Sequence, residues 1–276
     1  MDILSILILG LVQGISEWLP ISSKTMVSIT YLKFLGGTTG PLISILIFVH
    51  LGTLIAATVY FRSILVALAH QAFEGLKAPR RLLDSPVGFY LAALLFTGLV
   101  GGPILLAESL FLPSLNASFL FAIMGAGLLI TAFLLYSKKF GPKSERAMET
   151  ASWKDGVLAG AFQALSTIPG ISRSGSTTSA LALRGFSALS TFELSFILSI
   201  PTVFCAEVLF WSVEVIKAGT FASVPLADGL LLALFSCIFG YLTIGALIRL
   251  ASRINLWQLA ASFGVIMLLV ALMGVG

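Results

Sequence analysis

Residues 160–177 read GAFQALSTIPGISRSGST, and residues 10–25 read GLVQGISEWLPISSKT. Each stretch runs from Gly through two apolar residues to Gln, then through an apolar, helix-like segment to Pro and a cluster of hydroxyls. Together they carry Glu17, Lys24 and Arg173 among long apolar runs. A charge inside a membrane segment costs roughly 2.5–3.5 kcal/mol on insertion scales and is usually kept for function. The repeat therefore indicates where the site lies.

The composition is that of a membrane protein. Of the 276 residues, 58% are hydrophobic and 10% are charged, and the mean hydropathy is +1.06. A soluble domain has about 25% charged residues. The net charge of +4 does not indicate nucleic-acid binding, because excess Lys and Arg in a membrane protein usually reflect cytoplasmic loops. The first segment lacks the basic start of a cleavable signal peptide, and its polar cluster belongs to the repeat.

We predict an all-α polytopic membrane protein with six transmembrane helices. Two further segments, residues 2–36 and 155–186, are apolar helices broken by Pro and a run of Ser, Thr or Gly. A bilayer core takes about 20 apolar residues to cross. The long apolar runs are 42–61, 87–107, 114–136, 191–214, 227–248 and 256–274.

The distribution of Lys and Arg predicts how these segments cross the membrane. Twelve of the sixteen fall on one side, mostly in residues 62–87 and 137–155, whereas Lys33 and Lys217 fall on the other. The basic side is expected to be cytoplasmic. The asymmetry holds only if each broken segment enters and leaves on one side, the first from outside and the second from the cytoplasm. Non-helical backbone inside the membrane is stable only where surrounding protein or a water-filled cavity supplies its hydrogen bonds.

The chain is therefore expected to be an inverted-topology repeat with both termini outside. Residues 1–136 comprise the re-entrant hairpin 2–36 and three spans, and residues 155–276 comprise the re-entrant hairpin 155–186 and three spans. Residues 137–154 form a basic cytoplasmic connector. Inverted repeats with broken helices recur in transporters, where the site lies at the repeat interface.

The second repeat predicts an anion site. A helix that follows a Pro-Gly break presents unpaired N–H groups and partial positive charge at its start. Arg173 adds a fork of donors that fits phosphate, with Ser174 beside it. In the alternative reading the turn is only capped, and Arg173 snorkels or pairs with a carboxylate. The other expected substrate-binding residues here are Gly170, Ser172, Ser176 and Thr177.

The first repeat supplies a carboxylate and a nearby amide. Gln13 and Glu17 are four residues apart, so one helix face carries both. Glu17 could act as a general base, bind a metal or simply pair with Arg173. Two polar residues inside later apolar runs, His50 and Glu207, are not included in the predicted site.

Hydroxyls and a further cation follow the break at Pro20. Ser23 could serve as a nucleophile if Glu17 takes its proton, with Ser22 as a neighbouring contact. Lys24 could hold a second phosphate group as a point charge. The simpler reading makes the two serines helix caps and places Lys24 at the outer headgroups.

With these residues in view, the chain resembles the undecaprenyl-diphosphate phosphatase family, also called the bacitracin-resistance protein family. The family's (Glu/Gln)-x-x-x-Glu helix and Leu-Pro-x-Ser-Ser run correspond to residues 13–23. Its Pro-Gly-x-Ser-Arg-Ser-Gly-x-Thr signature corresponds to residues 169–177. The stretches HLGTLIAATVYF at 50–61 and FELSFILSIP at 192–201 extend the likeness over most of the chain.

The resemblance implies a hydrolase of the plasma membrane that removes the terminal phosphate from a C55 polyprenyl diphosphate. The product is the monophosphate carrier used for cell-wall and surface glycan assembly. The resemblance also implies two re-entrant hairpins, an active site that opens toward the outer face, and a homodimer. No organic cofactor and no nucleic-acid partner are expected, and a requirement for Mg²⁺ or Ca²⁺ stays open.

Two departures from the family pattern bear on that metal. Met26 stands where bacterial members commonly carry a His, and Met cannot shuttle a proton. Gln13 leaves one carboxylate where two would chelate a metal. Both changes weaken the expectation of a divalent-ion site, and they suggest a different polyprenyl carrier.

The expected mechanism is phosphoryl transfer by positioning and electrostatics. Glu17 activates Ser23, which attacks the terminal phosphorus, and water hydrolyses the resulting phosphoserine. Attack by a Glu17-activated water, or by Ser174, is the alternative. A transporter or flippase of polyprenyl phosphate, using the same midplane anion site, is the competing functional hypothesis.

Overall fold

Helices make up the regular structure in the computed structural model, which describes residues 1–77, 82–111, 116–137, 145–218, 223–251 and 255–274. A π-helical turn at Thr30–Phe34 and two short 3₁₀ helices, Met148–Thr150 and Leu165–Thr167, join them. The α-helices are α1 Ile3–Ser16, α2 Ser23–Ile29, α3 Leu42–Tyr60, α4 Arg62–Gly75, α5 Pro86–Phe111, α6 Ala117–Ser137, α7 Trp153–Ala164, α8 Arg173–Leu183, α9 Ala188–Ala218, α10 Leu226–Ala251 and α11 Leu256–Leu272.

Within the described ranges, five helices are long and apolar enough to cross a membrane. They lie in α3, α5, α6, α9 and α10, which confirms the polytopic prediction and five of the predicted spans. The sixth predicted span, 256–274, forms the apolar helix α11 of 17 residues. Its length lies at the lower limit of the range of about 17–25 residues that membrane helices show.

The basic segments between spans differ in structure. Residues 62–87, expected to form a cytoplasmic loop, contain α4, which has no buried side chain. With 14 residues, α4 is shorter than the stretch of about 20 residues that crosses a bilayer core, so the span pattern does not predict it. In the predicted connector 137–154, residues 138–144 lie outside the described part of the chain.

Both polar repeats break a helix, as the sequence predicts. Residues 17–22 separate α1 from α2, and residues 165–172 separate α7 from α8. Ser22 has a φ of 60°, which residues with a side chain rarely adopt. Gly170 has a φ of 90°, and a Cβ added there would collide with the backbone of Met124. Glycine is the residue that meets both demands at this turn.

The helices that carry the two repeats pack against the opposite halves of the chain. α1 packs on α10, and α7 packs on α5. Glycines permit the close approach in both pairs, because a Cβ added at Gly10 or Gly14 would meet α10, and one added at Gly156 or Gly160 would meet α5. Small residues at helix interfaces are typical of membrane bundles. Each half therefore completes the packing of the other.

A side-chain hydrogen bond also recurs in both halves. Gln13 Nε2 donates to Thr53 Oγ1 at 3.2 Å, and Gln163 Nε2 donates to Thr202 Oγ1 at 3.0 Å. The two glutamines hold the same place in the polar repeats, and the two threonines lie on α3 and α9, the first long helices after each repeat. Each broken segment is thus joined to the following helix by the same kind of contact.

A buried carboxylate holds the beginning of the second broken segment. Asp155 is fully buried and accepts hydrogen bonds from Arg146 at 3.0 and 2.9 Å and from Arg184 at 2.7 Å. It also forms the capping box of α7 with Ser152. Burial opposes ionisation of Asp155, but the hydrogen bonds from the two arginines outweigh it and hold the pKa of this carboxyl below its usual value.

Asp155→Asn should destabilise the fold, because it leaves two guanidinium groups without their anion. Removing one partner of a buried pair costs about 3–5 kcal/mol. Both arginines are partly exposed, so we expect about 1–3 kcal/mol, measured as a lower melting temperature in detergent. The stabilisation belongs to the charged form, so it is present above the ordinary Asp pKa and lost as pH falls through the lowered value. The exposed Asp84→Asn is the control, and equal melting temperatures for the two variants would contradict this role.

Candidate active site

The two breaks meet at one cavity of about 110 Å³. The sequence predicted that the polar repeats would form a common site, and the structure brings most of the predicted residues together there. Those that line the cavity are Glu17, Ser22, Ser23 and Lys24 from the first repeat, and Ser172, Arg173 and Ser174 from the second.

A buried ion pair joins the two repeats. Arg173 Nη2 donates to Glu17 Oε1 at 2.8 Å, and the exposed fractions of these side chains are 13% and 7%. Taking either charge out of water costs several kcal/mol unless a partner and further hydrogen bonds compensate. The pairing of Glu17 with Arg173, one of the alternatives that the sequence left open, is therefore present, and it brings other groups into contact.

Glu17 Oε2 organises the first repeat. Ser23 Oγ donates to it at 2.6 Å, and Gln13 Nε2 donates to it at 2.9 Å. The Ser23 hydroxyl is thus held beside the ion pair and lines the cavity. The candidate nucleophile and the candidate base have the direct contact that such a pair requires.

Arg173 keeps one nitrogen available for a ligand. Its Nη1 is buried and has no hydrogen-bond partner among the described residues. Buried donors without a partner are rare in folded proteins, and each one needs an explanation. Here the side chain lines the cavity, so an anion bound there would satisfy Nη1.

The beginning of α8 supplies further donors. Ser172 Oγ accepts from Gly175 N at 3.2 Å as the N-cap, and Ser172 N donates to Thr131 Oγ1 at 2.9 Å. Ser174 Oγ donates to the carbonyl of Leu19 at 3.2 Å, across the interface between the repeats. The first-turn N–H groups that remain have no partner within the helix. The helix therefore begins at the cavity, as predicted, and the binding of an anion there stays a prediction.

Four predicted substrate-binding residues lie outside the cavity lining: Gln13, Gly170, Ser176 and Thr177. Ser176 Oγ donates to the carbonyl of Ser172 at 2.9 Å, and Thr177 Oγ1 donates to the carbonyl of Arg173 at 2.9 Å. These residues support the ones that line the cavity. Their direct contact with substrate stays a prediction.

Two titratable residues of the cavity lining come from spans and were not predicted as part of the site. His50 of α3 is 8% exposed, and its Nε2 lies 3.4 Å from Ser23 Oγ. Glu207 of α9 lines the cavity, and its Oε2 is buried with no hydrogen-bond partner among the described residues. The sequence signal that could have identified His50 and Glu207 is a titratable residue inside an apolar run. No spacing in the sequence relates either residue to the polar repeats.

The described side chains at the cavity do not form a set of ligands that fits Mg²⁺ or Ca²⁺. No group of three or more His, Cys, Asp or Glu in the described ranges could hold a metal ion. Glu17 already accepts hydrogen bonds from Arg173, Ser23 and Gln13. Because these cations take several oxygen ligands, the described side chains do not form a protein-held site for either.

A second cavity, of about 770 Å³, adjoins the first between α3, α9 and the beginning of α10. Glu207 lines both cavities, and most of the other residues are apolar. The exposed fractions of Leu51, Phe204 and Val208 are 37%, 57% and 49%, so the cavity reaches the outer apolar surface of the bundle.

Comparison with known proteins shows the family to which the chain belongs. Proteins named undecaprenyl-diphosphatase are similar over most of their length: one from Methanococcoides burtonii is 34% identical over 95% of this chain and 96% of its own. One from Haloarcula marismortui is 34% identical over 95% and 94%, and one from Saccharolobus solfataricus is 37% identical over 88% and 86%. The family described as bacitracin resistance protein BacA matches residues 6–273, and this chain belongs to that family.

Proposed function

We propose that this protein is an integral-membrane phosphatase that hydrolyses a polyprenyl diphosphate, of the undecaprenyl class, to the monophosphate and inorganic phosphate. One observation carries the proposal: Arg173, whose Nη1 has no hydrogen-bond partner in the described structure, lines the same cavity as Ser23, whose hydroxyl Glu17 holds. The names of the relatives support the choice of substrate. The product would return to use as a carrier in cell-wall and surface glycan synthesis.

The diphosphate binds between the two repeats. Arg173 Nη1 and the first N–H groups of α8 contact the terminal phosphate, and Lys24 contacts the second phosphate as a point charge. Lys24 Nζ lies 5.5 Å from the ring centroid of Phe210, a distance at which cation and ring attract each other. These donors concentrate positive charge where negative charge develops in the transition state.

Ser23 attacks the terminal phosphorus, the anhydride bond breaks, and water then hydrolyses the phosphoserine. Ser23 is favoured over Ser174 because Ser174 Oγ is held by the Leu19 carbonyl and lies 3.2 Å from Ser172 Oγ. Ser23 Oγ contacts the groups that can activate it. Direct attack by an activated water is the other route to the same products.

The prenyl chain leaves the site through the apolar cavity between α3 and α9. Glu207 lies where the polar and apolar cavities adjoin, so a lipid with its diphosphate on Arg173 has a continuous path to the bundle surface. The cavity lies within the range of about 300–1,000 Å³ usual for ligand pockets. In a bilayer this path guides the chain by shape, since lipid is as apolar as the cavity.

The two halves form an inverted repeat whose broken segments are re-entrant hairpins. The exchanged packing of α1 on α10 and α7 on α5, and the recurring Gln–Thr hydrogen bond, support this relation. With α11 as the sixth span, the charge distribution supports a topology in which both termini lie outside. The cavity then opens toward the outer face of the plasma membrane.

Arg173→Lys and Ser23→Ala should each abolish most phosphate release from C55 diphosphate by the purified protein. Lys keeps the charge but loses the fork that contacts Glu17 and phosphate together. Removing one such donor costs about 10²–10³ in rate, and removing the nucleophile costs at least as much.

Ser28→Ala is the matched control for Ser23→Ala. Ser28 lies on the same short helix, is fully buried, and its Oγ has no hydrogen-bond partner in the described structure. Its loss should leave turnover unchanged. Retained binding of the diphosphate by the wild type without any phosphate release would instead favour the transporter.

Leu51→Trp or Val208→Trp should narrow the apolar cavity and slow turnover of the C55 diphosphate several-fold by displacing its chain. A C5 diphosphate, which has almost no chain, should be hydrolysed at the wild-type rate. Leu99→Trp adds the same ring on the exposed surface of α5 and is the control. Equal effects on the C55 and C5 substrates would contradict the binding of the prenyl chain in this cavity.

A further inference from the structure

His50 is a buried imidazole in the middle of α3. It is 8% exposed, and α3 is one of the helices long enough to span the membrane. A titratable group at such depth is costly and is kept for function by default. The chain has one other histidine, His70, which is exposed on α4.

The contact at Nδ1 determines which ring nitrogen can take a proton. Nδ1 lies 2.7 Å from the carbonyl oxygen of Leu46, one helical turn earlier. A carbonyl oxygen only accepts, so Nδ1 carries the hydrogen in this contact. In the neutral ring, Nε2 is therefore the nitrogen with the free lone pair.

Nε2 lies beside the candidate nucleophile. It is 3.4 Å from Ser23 Oγ and 3.7 Å from Glu17 Oε2. Ser23 Oγ donates to Glu17 in this arrangement, and rotation about the Cβ–Oγ bond redirects its hydrogen toward Nε2. The hydroxyl therefore has two proton acceptors within reach.

The ion pair makes Glu17 the less suitable of the two. Its Oε1 is bound by Arg173 at 2.8 Å, and its Oε2 accepts from Gln13 at 2.9 Å. Protonating Glu17 would leave Arg173 buried beside a neutral group, which costs several kcal/mol. The imidazole can take a proton while that pair stays intact.

We propose that His50 accepts the Ser23 proton during phosphoryl transfer, an inference that rests on the proposed function. As the bond from Ser23 Oγ to phosphorus forms, the anhydride bond breaks, the leaving monophosphate keeps the electron pair, and the proton moves to Nε2. Nε2 then gives this proton to the leaving group. When water attacks the phosphoserine, Nε2 takes a proton from the water and returns it to Ser23 Oγ as inorganic phosphate departs. Glu17 acts as the positioning residue.

The test compares His50→Gln and His50→Ala with His70→Gln in phosphate release from C55 diphosphate. Gln keeps the polarity of the side chain but cannot accept a proton, so kcat should fall about 10²–10⁴-fold with little change in KM. Imidazole added to the Ala variant should restore part of kcat, and it should restore nothing to Ser23→Ala. His70→Gln should match the wild type.

A second readout does not depend on turnover of the lipid. A fluorophosphonate should label Ser23 in the wild type, measured by mass spectrometry, and should label it more slowly in His50→Gln. If the wild type releases no phosphate but its Ser23 labelling still depends on His50, the proposed phosphatase function is contradicted. The role of His50 as the proton acceptor of Ser23 is then still supported. A His50→Gln kcat within threefold of wild type, or no rescue of the Ala variant by imidazole, would overturn the inference.

Discussion

The buried ion pair between Glu17 and Arg173 is the interaction on which the site depends. It joins residues 156 positions apart at 2.8 Å, and the exposed fractions of the two side chains are only 13% and 7%. Neither charge is stable there without the other, so the pair holds the two broken helices together at the cavity. The remaining atoms of both side chains then organise the site: Glu17 Oε2 accepts from Ser23, and Arg173 Nη1 is the donor that an anion would satisfy.

Much of the fold follows from lengths of apolar sequence. Five runs of span length became helices, because a helix satisfies its own backbone hydrogen bonds in lipid. The extent of α9, from Ala188 to Ala218, exceeds the predicted 191–214 because polar residues can continue a helix beyond the apolar run. The prediction does not include α4, because its sequence is too polar to form a span and it buries no side chain.

The site was predictable where its residues are adjacent in sequence. Glu17, Ser23, Arg173 and Ser174 were expected together because a repeated motif carries them, and the structure brings all four to one cavity. His50 reaches the same cavity from a span. Which residue of an apolar helix faces the breaks depends on how α3 packs against both halves, and no local pattern encodes that. Thr177, a predicted substrate-binding residue, lies outside the cavity lining for the same reason: the sequence does not show which side of a helix faces the cavity.

The most direct test follows the terminal phosphate itself. Purified protein is mixed with C55 diphosphate that carries ³²P in its terminal phosphate group. The reaction is quenched in acid within the first turnover, and the protein is then digested for mass spectrometry. We expect the label on the peptide that contains Ser23, because its hydroxyl lies between the ion pair and His50. Release of labelled phosphate at the full rate with no labelled protein, or with the label on Ser174, would contradict Ser23 as the nucleophile.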